Sequence, residues 1–293
     1  MPPTITPGKS YGFFTDTSVC IGCKACEVAC KEWNQLPATQ KGFLGDSLDN
    51  TGSLDGRNWR HVKFIDNVPD ETLGVGNGKA FLLMSDVCKH CTHASCMDVC
   101  PTGAIIRTEF DTVFIQEPVC NGCRNCIAAC PYDVIDIDPD QNVARKCTLC
   151  YDRLQGGMEP ACAKACPTES IQFGPLDELR ERAQKRLAAV HAQGSTQANL
   201  YGHDEKVYGG LNAFFLLMDK PETYKLPSAD DALLPQRNNL GGYLGLAGTA
   251  VLGLFGAIFA LRNRGSLRRA AAAVPPPPAG TPPPAPPPED ETV

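Results

Sequence analysis

Cys20-Ile21-Gly22-Cys23-Lys24-Ala25-Cys26-Glu27-Val28-Ala29-Cys30 spaces its cysteines as C-x2-C-x2-C-x3-C. The same spacing returns at Cys120, Cys123, Cys126 and Cys130. Two further groups change only the middle gap, to four residues in Cys88, Cys91, Cys96 and Cys100 and to eleven in Cys147, Cys150, Cys162 and Cys166. These groups use all 16 cysteines of the chain. The C-x2-C-x2-C-x3-C run is a ligand pattern for [4Fe–4S] clusters. The count therefore implies four such clusters, and four cubanes in one small chain make an electron wire.

Three thiolates within seven residues curl the chain around one corner of a cube. The fourth follows four residues later, which on a helical turn lifts it by about 6 Å and turns it towards a second cube. In two-cluster ferredoxins that fourth cysteine ligates the other cluster, commonly just before a proline. Cys100-Pro101, Cys130-Pro131 and Cys166-Pro167 show the proline, whereas Lys31 follows Cys30. Adjacent groups two and three are expected to form one module, and outer groups one and four the other. Under the crossing rule the ligand sets are Cys20, Cys23, Cys26 and Cys166; Cys30, Cys147, Cys150 and Cys162; Cys88, Cys91, Cys96 and Cys130; and Cys100, Cys120, Cys123 and Cys126.

Rival uses of the cysteines fit less well. Structural zinc takes separated C-x2–4-C pairs, and three cysteines crowded into seven residues do not supply them. Disulfides suit small exported chains, yet C-x2-C-x2-C puts partners too close for separate unstrained bridges. His90 and His93 stand among four cysteines already sufficient for a cluster, so they are expected outside the ligand set. Lys24 and Arg124 hold like places in groups one and three; a cation there either raises a cluster's potential or is simply solvated.

The chain has 293 residues, 43% of them hydrophobic, and a net charge of −6. That balance argues against a nucleic-acid surface, and a modest apolar share fits a core partly built on bound clusters. Residues 1–18 read as an N-terminal arm with neither an apolar signal core nor a twin arginine. Residues 19–175 read as the cluster domain, with a Gly/Asp/Asn-rich loop insertion at 42–78 that encloses the strand-like Trp59–Ile65. Short apolar turns follow groups two, three and four (Ala104-Ile105-Ile106, Val134-Ile135, Ser170-Ile171), a weak internal repeat. The expected fold is α+β, two tandem ferredoxin-like modules with pseudo-two-fold symmetry plus one C-terminal transmembrane helix.

Residues 176–239 read as a helix and partner-docking extension. Leu176, Leu179, Ala183, Leu187 and Val190 recur at helical period behind Pro175. Such a helix either docks a partner or covers the cluster domain. Phe214-Phe215-Leu216-Leu217 suits a strand or a partner contact equally. Leu240–Leu261 carries no charge, and its twenty-two residues would span about 33 Å, enough for a hydrocarbon core of roughly 30 Å. Gly241, Gly245, Gly248, Gly253 and Gly256 offer a small-residue seam for a neighbouring membrane helix. Arg262, Arg264, Arg268 and Arg269 follow the span and only Arg237 precedes it closely, which predicts a cytoplasmic C-terminus and a cluster domain on the periplasmic side. With no leader in residues 1–18, export together with a partner is expected. Residues 262–293 read as a basic, then Pro-rich disordered tail.

Group one with its continuation Lys31-Glu32-Trp33-Asn34 resembles the iron–sulfur β subunit of membrane-bound respiratory formate dehydrogenases. So do Arg145-Lys146-Cys147-Thr148-Leu149-Cys150-Tyr151-Asp152-Arg153, Glu159-Pro160-Ala161-Cys162, Cys166-Pro167-Thr168 and Pro221-Glu222-Thr223-Tyr224 with Leu226-Pro227. The resemblance implies an electron-transfer subunit with no active site of its own. It implies a catalytic molybdopterin subunit (molybdenum or tungsten) on one side and a membrane cytochrome b on the other. Alternatives are the same wire serving a hydrogenase or another molybdopterin oxidoreductase, and a free-standing membrane polyferredoxin.

Overall fold

The computed structural model describes residues 4–38, 42–43, 45, 48–69, 79–228 and 240–272. The chain divides into two units, Met1–Leu234 and Pro235–Val293. The first contains β1 (Tyr11–Asp16), α1 (Ala25–Asn34), β2 (Arg60–Pro69), β3 (Lys79–Val87), α2 (Ser95–Asp98), β4 (Ile105–Arg107) and β5 (Val113–Ile115). It continues with α3 (Asn125–Ala128), β6 (Asp136–Asp138), β7 (Val143–Arg145), α4 (Tyr151–Gln155), α5 (Ala161–Lys164), β8 (Ile171–Pro175), α6 (Leu176–Ala192), β9 (Asn199–Tyr201) and β10 (Ala213–Leu217).

Every cysteine group sits behind a strand, and the three groups that end in Cys-Pro leave through the same turn. Proline cannot continue a helix, so α2, α3 and α5 stop after four residues each. Gly103, Asp133 and Glu169, three residues past the cysteine, take a left-handed conformation, and their N–H groups donate to the carbonyls of Cys100, Cys130 and Cys166. Short strands follow: β4 pairs with β5 and β6 with β7, both antiparallel. The apolar turns after groups two, three and four thus lead into β4, β6 and β8. Group one lacks the proline, and α1 runs on through Cys30 to Asn34.

A four-stranded sheet, ordered β8-β1-β10-β9, closes the unit. β1 pairs antiparallel with β8 and parallel with β10, so Phe14 near the start of the chain lies opposite Phe214. All six residues of β1 and all five of β10 are buried, as expected of central strands covered on both faces. α6 lays Leu176, Leu179, Ala183 and Val190 against this sheet, and its Arg186 pairs with Asp16 at 2.7 Å. β2 and β3 form a separate antiparallel hairpin.

Several boundaries differ from the sequence reading. The arm assigned to residues 1–18 contains β1, because Tyr11, Phe13 and Phe14 bury their rings against Phe110, Phe173 and Phe214. The insertion at 42–78 yields β2 from Arg60 onward, while residues 70–78 lie outside the described set. The extension at 176–239 is integral to the sheet as far as residue 217, since the Phe214–Leu217 run is inaccessible and offers no surface to a partner. Residues 229–239, including Arg237, lie outside the described set.

In the second unit α7 runs from Leu240 to Ala272. Leu244–Gly265 within it is long and apolar enough to cross a membrane, and none of that stretch is buried in the protein. The helix continues beyond Leu261, where Arg and Ala, both good helix formers, recur. The Pro-rich segment from residue 275 lies outside the described residues.

Candidate metal centres

The local chain around groups one and three is the same. A 3-10 turn (Thr17–Val19, Glu117–Val119) delivers Cys20 and Cys120 in matching extended conformations. Gly22 and Gly122 then take φ of 67° and 69°, and Lys24 and Arg124 take 60° and 66°. Alternating left-handed residues bend the backbone back on itself, which lets three sulfurs converge. Gly122 is required twice over, since a Cβ there would meet the Asn142 carbonyl oxygen at 2.4 Å as well as strain φ.

None of the 16 cysteines forms a disulfide. Their neighbourhoods cut across the sequence groups. Cys30 is pushed well above an ordinary thiol pKa by burial and then by the charges of Cys147, Cys162 and Cys150. Cys20 is raised by burial, with Cys166 and Cys23 adding to it. Burial also raises Cys91, helped by Cys88, Cys130 and Cys96. Cys126 is pushed up to about 11 by burial, then by Cys120, Cys123 and Cys100 among its neighbours. One small cavity is lined by Cys20, Cys23, Cys26 and Cys166. Another is lined by Cys88, Cys91, Cys96 and Cys130.

Influences also run between these sets. Cys162 acts on Cys26, itself raised to about 12 by burial. Cys88 acts on Cys147, likewise raised to about 12 by burial. Cys126 acts on Cys96, raised to about 12 by the same cause. These influences put the Cys20 set beside the Cys30 set, that set beside the Cys88 set, and the Cys88 set beside the Cys120 set. Contacts between elements agree. Trp33, just past group one, donates to Asp152 at 2.8 Å, and the Arg153 guanidinium lies 4.2 Å from the Trp33 ring centre.

Buried thiols whose pKa values are driven up cannot stay ionised without cations beside them. Bonding to iron supplies that, so converging sets of sulfur donors, two of which line cavities, fit iron–sulfur clusters. The histidines stand outside the sets. His90 is fully buried and its Nδ1 accepts from the Val113 N–H at 3.1 Å. Burial first, then Lys146, hold it far below the usual imidazole range. His93 is exposed. Lys24 is not simply solvated: it pairs with Asp49 and lies 3.7 Å from Glu27. Arg124 is exposed.

Sequence reasoning missed the interior cations. Lys89 is buried against Asp86, to which it is hydrogen-bonded. Lys146 is buried and donates to the carbonyls of Val113 and Cys147. Arg60 is buried with Nη2 at 3.2 Å from Cys162 Sγ. The only sequence signal was adjacency, Lys89 and Lys146 being next to Cys88 and Cys147.

Residues 79–176 match the family described as a 4Fe-4S dicluster domain, and residues 19–104 match a second family of the same description. The chain is 39% identical over 212 residues to the formate dehydrogenase iron-sulfur subunit of Haemophilus influenzae, across 71% of this chain and 65% of that relative. It is 38% identical over 212 residues to the formate dehydrogenase-O iron-sulfur subunit of Escherichia coli, across 71% and 68%. The B subunit of anaerobic dimethyl sulfoxide reductase from Escherichia coli is 38% identical over 181 residues, across 61% of this chain and 80% of that relative. The matched region spans about two thirds of the length of these formate dehydrogenase relatives. With its repeated cysteine geometry and this level of identity, the chain belongs to the family of formate dehydrogenase iron–sulfur subunits.

Proposed function

We propose that this chain is the electron-transfer subunit of a membrane-bound formate dehydrogenase. It would take electrons from a catalytic molybdopterin subunit, carry them through four [4Fe–4S] clusters and deliver them to a membrane cytochrome b. The chemistry at carbon belongs to the partner; when bound, each cluster supplies a one-electron carrier. The chain's own residues hold the clusters in line, exclude water and set the electrostatics around them. The observation that carries this reading is the identity to formate dehydrogenase iron-sulfur subunits in a chain with sixteen cysteines in four groups.

The ligand sets are those of the crossing rule: Cys20, Cys23, Cys26 and Cys166; Cys30, Cys147, Cys150 and Cys162; Cys88, Cys91, Cys96 and Cys130; Cys100, Cys120, Cys123 and Cys126. The matching turns at groups one and three, and at the three Cys-Pro exits, support two pseudo-symmetric α+β modules. α7 anchors the protein through Leu240–Leu261, and the arginines after it favour a cytoplasmic C-terminus with the cluster domain on the periplasmic side.

The similarity to the dimethyl sulfoxide reductase B subunit keeps a second partner open, another molybdopterin oxidoreductase. Mass spectrometry of the complex copurified from gently solubilised membranes separates the two by the large subunit it contains. The crossing is tested by Cys20→Ala and Cys30→Ala. Each is expected to abolish a different cluster signal in electron paramagnetic resonance (EPR), and loss of the same signal in both would overturn the pairing.

A further inference from the structure

Arg60 opens β2 and is 2% exposed. Its guanidinium reaches two cysteines of different sequence groups. Nη2 is 3.2 Å from Cys162 Sγ. Nη1 donates to Ser85 Oγ at 3.3 Å, and that hydroxyl is 3.3 Å from Cys26 Sγ. The guanidinium lies 4.8 Å from the Phe13 ring centre, so an aromatic face closes one side of it.

Arg60 differs from Lys89 and Lys24 in what it pairs with. Lys89 is neutralised by Asp86 and Lys24 by Asp49. Lys146 donates to two backbone carbonyls and also faces the sulfurs of Cys88, Cys96 and Cys147. Among the described residues the hydrogen-bond acceptors of Arg60 are Ser85 and Cys162, none of them a carboxylate. Burial alone would disfavour its charge, but the sulfurs of Cys162, Cys26, Cys147 and Cys30 outweigh burial and raise its pKa. A guanidinium is charged at every accessible pH, and salt screens a buried charge only weakly.

We propose that Arg60 is a shared electrostatic element between two neighbouring clusters and sets the reduction potentials of both. It is a positioning and tuning residue, not a ligand. Reducing a cluster adds one negative charge, and a fixed positive charge touching a ligand sulfur favours that state. Because one guanidinium faces both clusters, it favours reduction on both sides. It also offsets their mutual repulsion when both are reduced. The inference rests on reading Cys26 and Cys162 as ligands of different clusters, which holds for either pairing of the fourth cysteines.

The test is EPR-monitored redox titration of the intact complex, purified with wild-type, Arg60→Gln and Arg60→Lys chains. Wild-type iron content and four separate signals come first; fewer than four clusters would refute the cluster reading itself. In Arg60→Gln, two of the four clusters are expected to become harder to reduce, each by about tenfold in the reduction constant, or about 59 mV for one electron. Arg60→Lys should return both towards wild type. If Arg60→Gln does not accumulate, Arg60→Met replaces it, because its apolar stem can still pack on Phe13. Four unchanged potentials, a shift in one cluster only, an equal shift in all four, or loss of clusters without a shift would each overturn the proposal.

Discussion

A lysine ammonium removed from water must find negative charge or hydrogen-bond acceptors, or lose its proton. Lys89 has a side chain that is 0% exposed, between Cys88 and Cys91 of group two. Asp86 supplies the partner and also bonds Lys63 at 2.8 Å. Burial opposes ionisation of Asp86, yet Lys89 and Lys63 together hold its carboxyl well below the usual range. A depressed folded pKa contributes stability above the unfolded value and loses it as pH falls through the folded one. This pair should thus survive mild acid and fail only below the pH at which ordinary carboxylates titrate. Asp86→Asn leaves Lys89 buried and uncompensated, with an expected cost of about 3–5 kcal/mol. Denaturant unfolding with iron release as the readout measures it. At this scale the sulfurs were legible, since cysteine spacing has few uses. Arg60, Lys89 and Lys146 were not, because a charged residue in sequence reads as surface until packing shows otherwise.

Elements differ in how far their patterns announced them. The helical period of Leu176, Leu179, Ala183 and Val190 pointed to α6, and its covering role is what burial against the sheet shows. The Cys-Pro pairs announced where α2, α3 and α5 stop, and the missing proline after Cys30 left α1 free to reach Trp33. β1 was read as an arm because its six residues look ordinary without their partners. Gly12 shows how tightly it is held: a Cβ there would lie 1.8 Å from the Asn212 carbonyl oxygen and 2.6 Å from Leu176 Cδ2. The carbonyl is backbone and cannot turn aside. Gly12→Ala should therefore cost about 3 kcal/mol or more, at or beyond the upper end of overpacking penalties. A lowered thermal midpoint at unchanged cysteine content is the expected result, and an unaltered midpoint would contradict the packing described for β1.

Across the whole molecule, the pairing of β1 with β10 could not have been read from the chain. No local pattern signals a parallel contact between residues so far apart, and such contacts form only when the intervening chain has already been arranged. That arrangement has a consequence for biogenesis. On the ribosome all sixteen cysteines emerge before β10 does, so β1 waits with one edge unpaired while the sulfur sites are already available. Sheet closure must wait for β10, which leaves the ribosome after every cysteine, and it works as a clasp fastened over the sulfur sites. A chain truncated after Gly210 keeps every thiol but cannot fasten the clasp. It should still acquire iron, yet surrender it to an external chelator faster than the full chain, a difference that the decay of visible absorption would time.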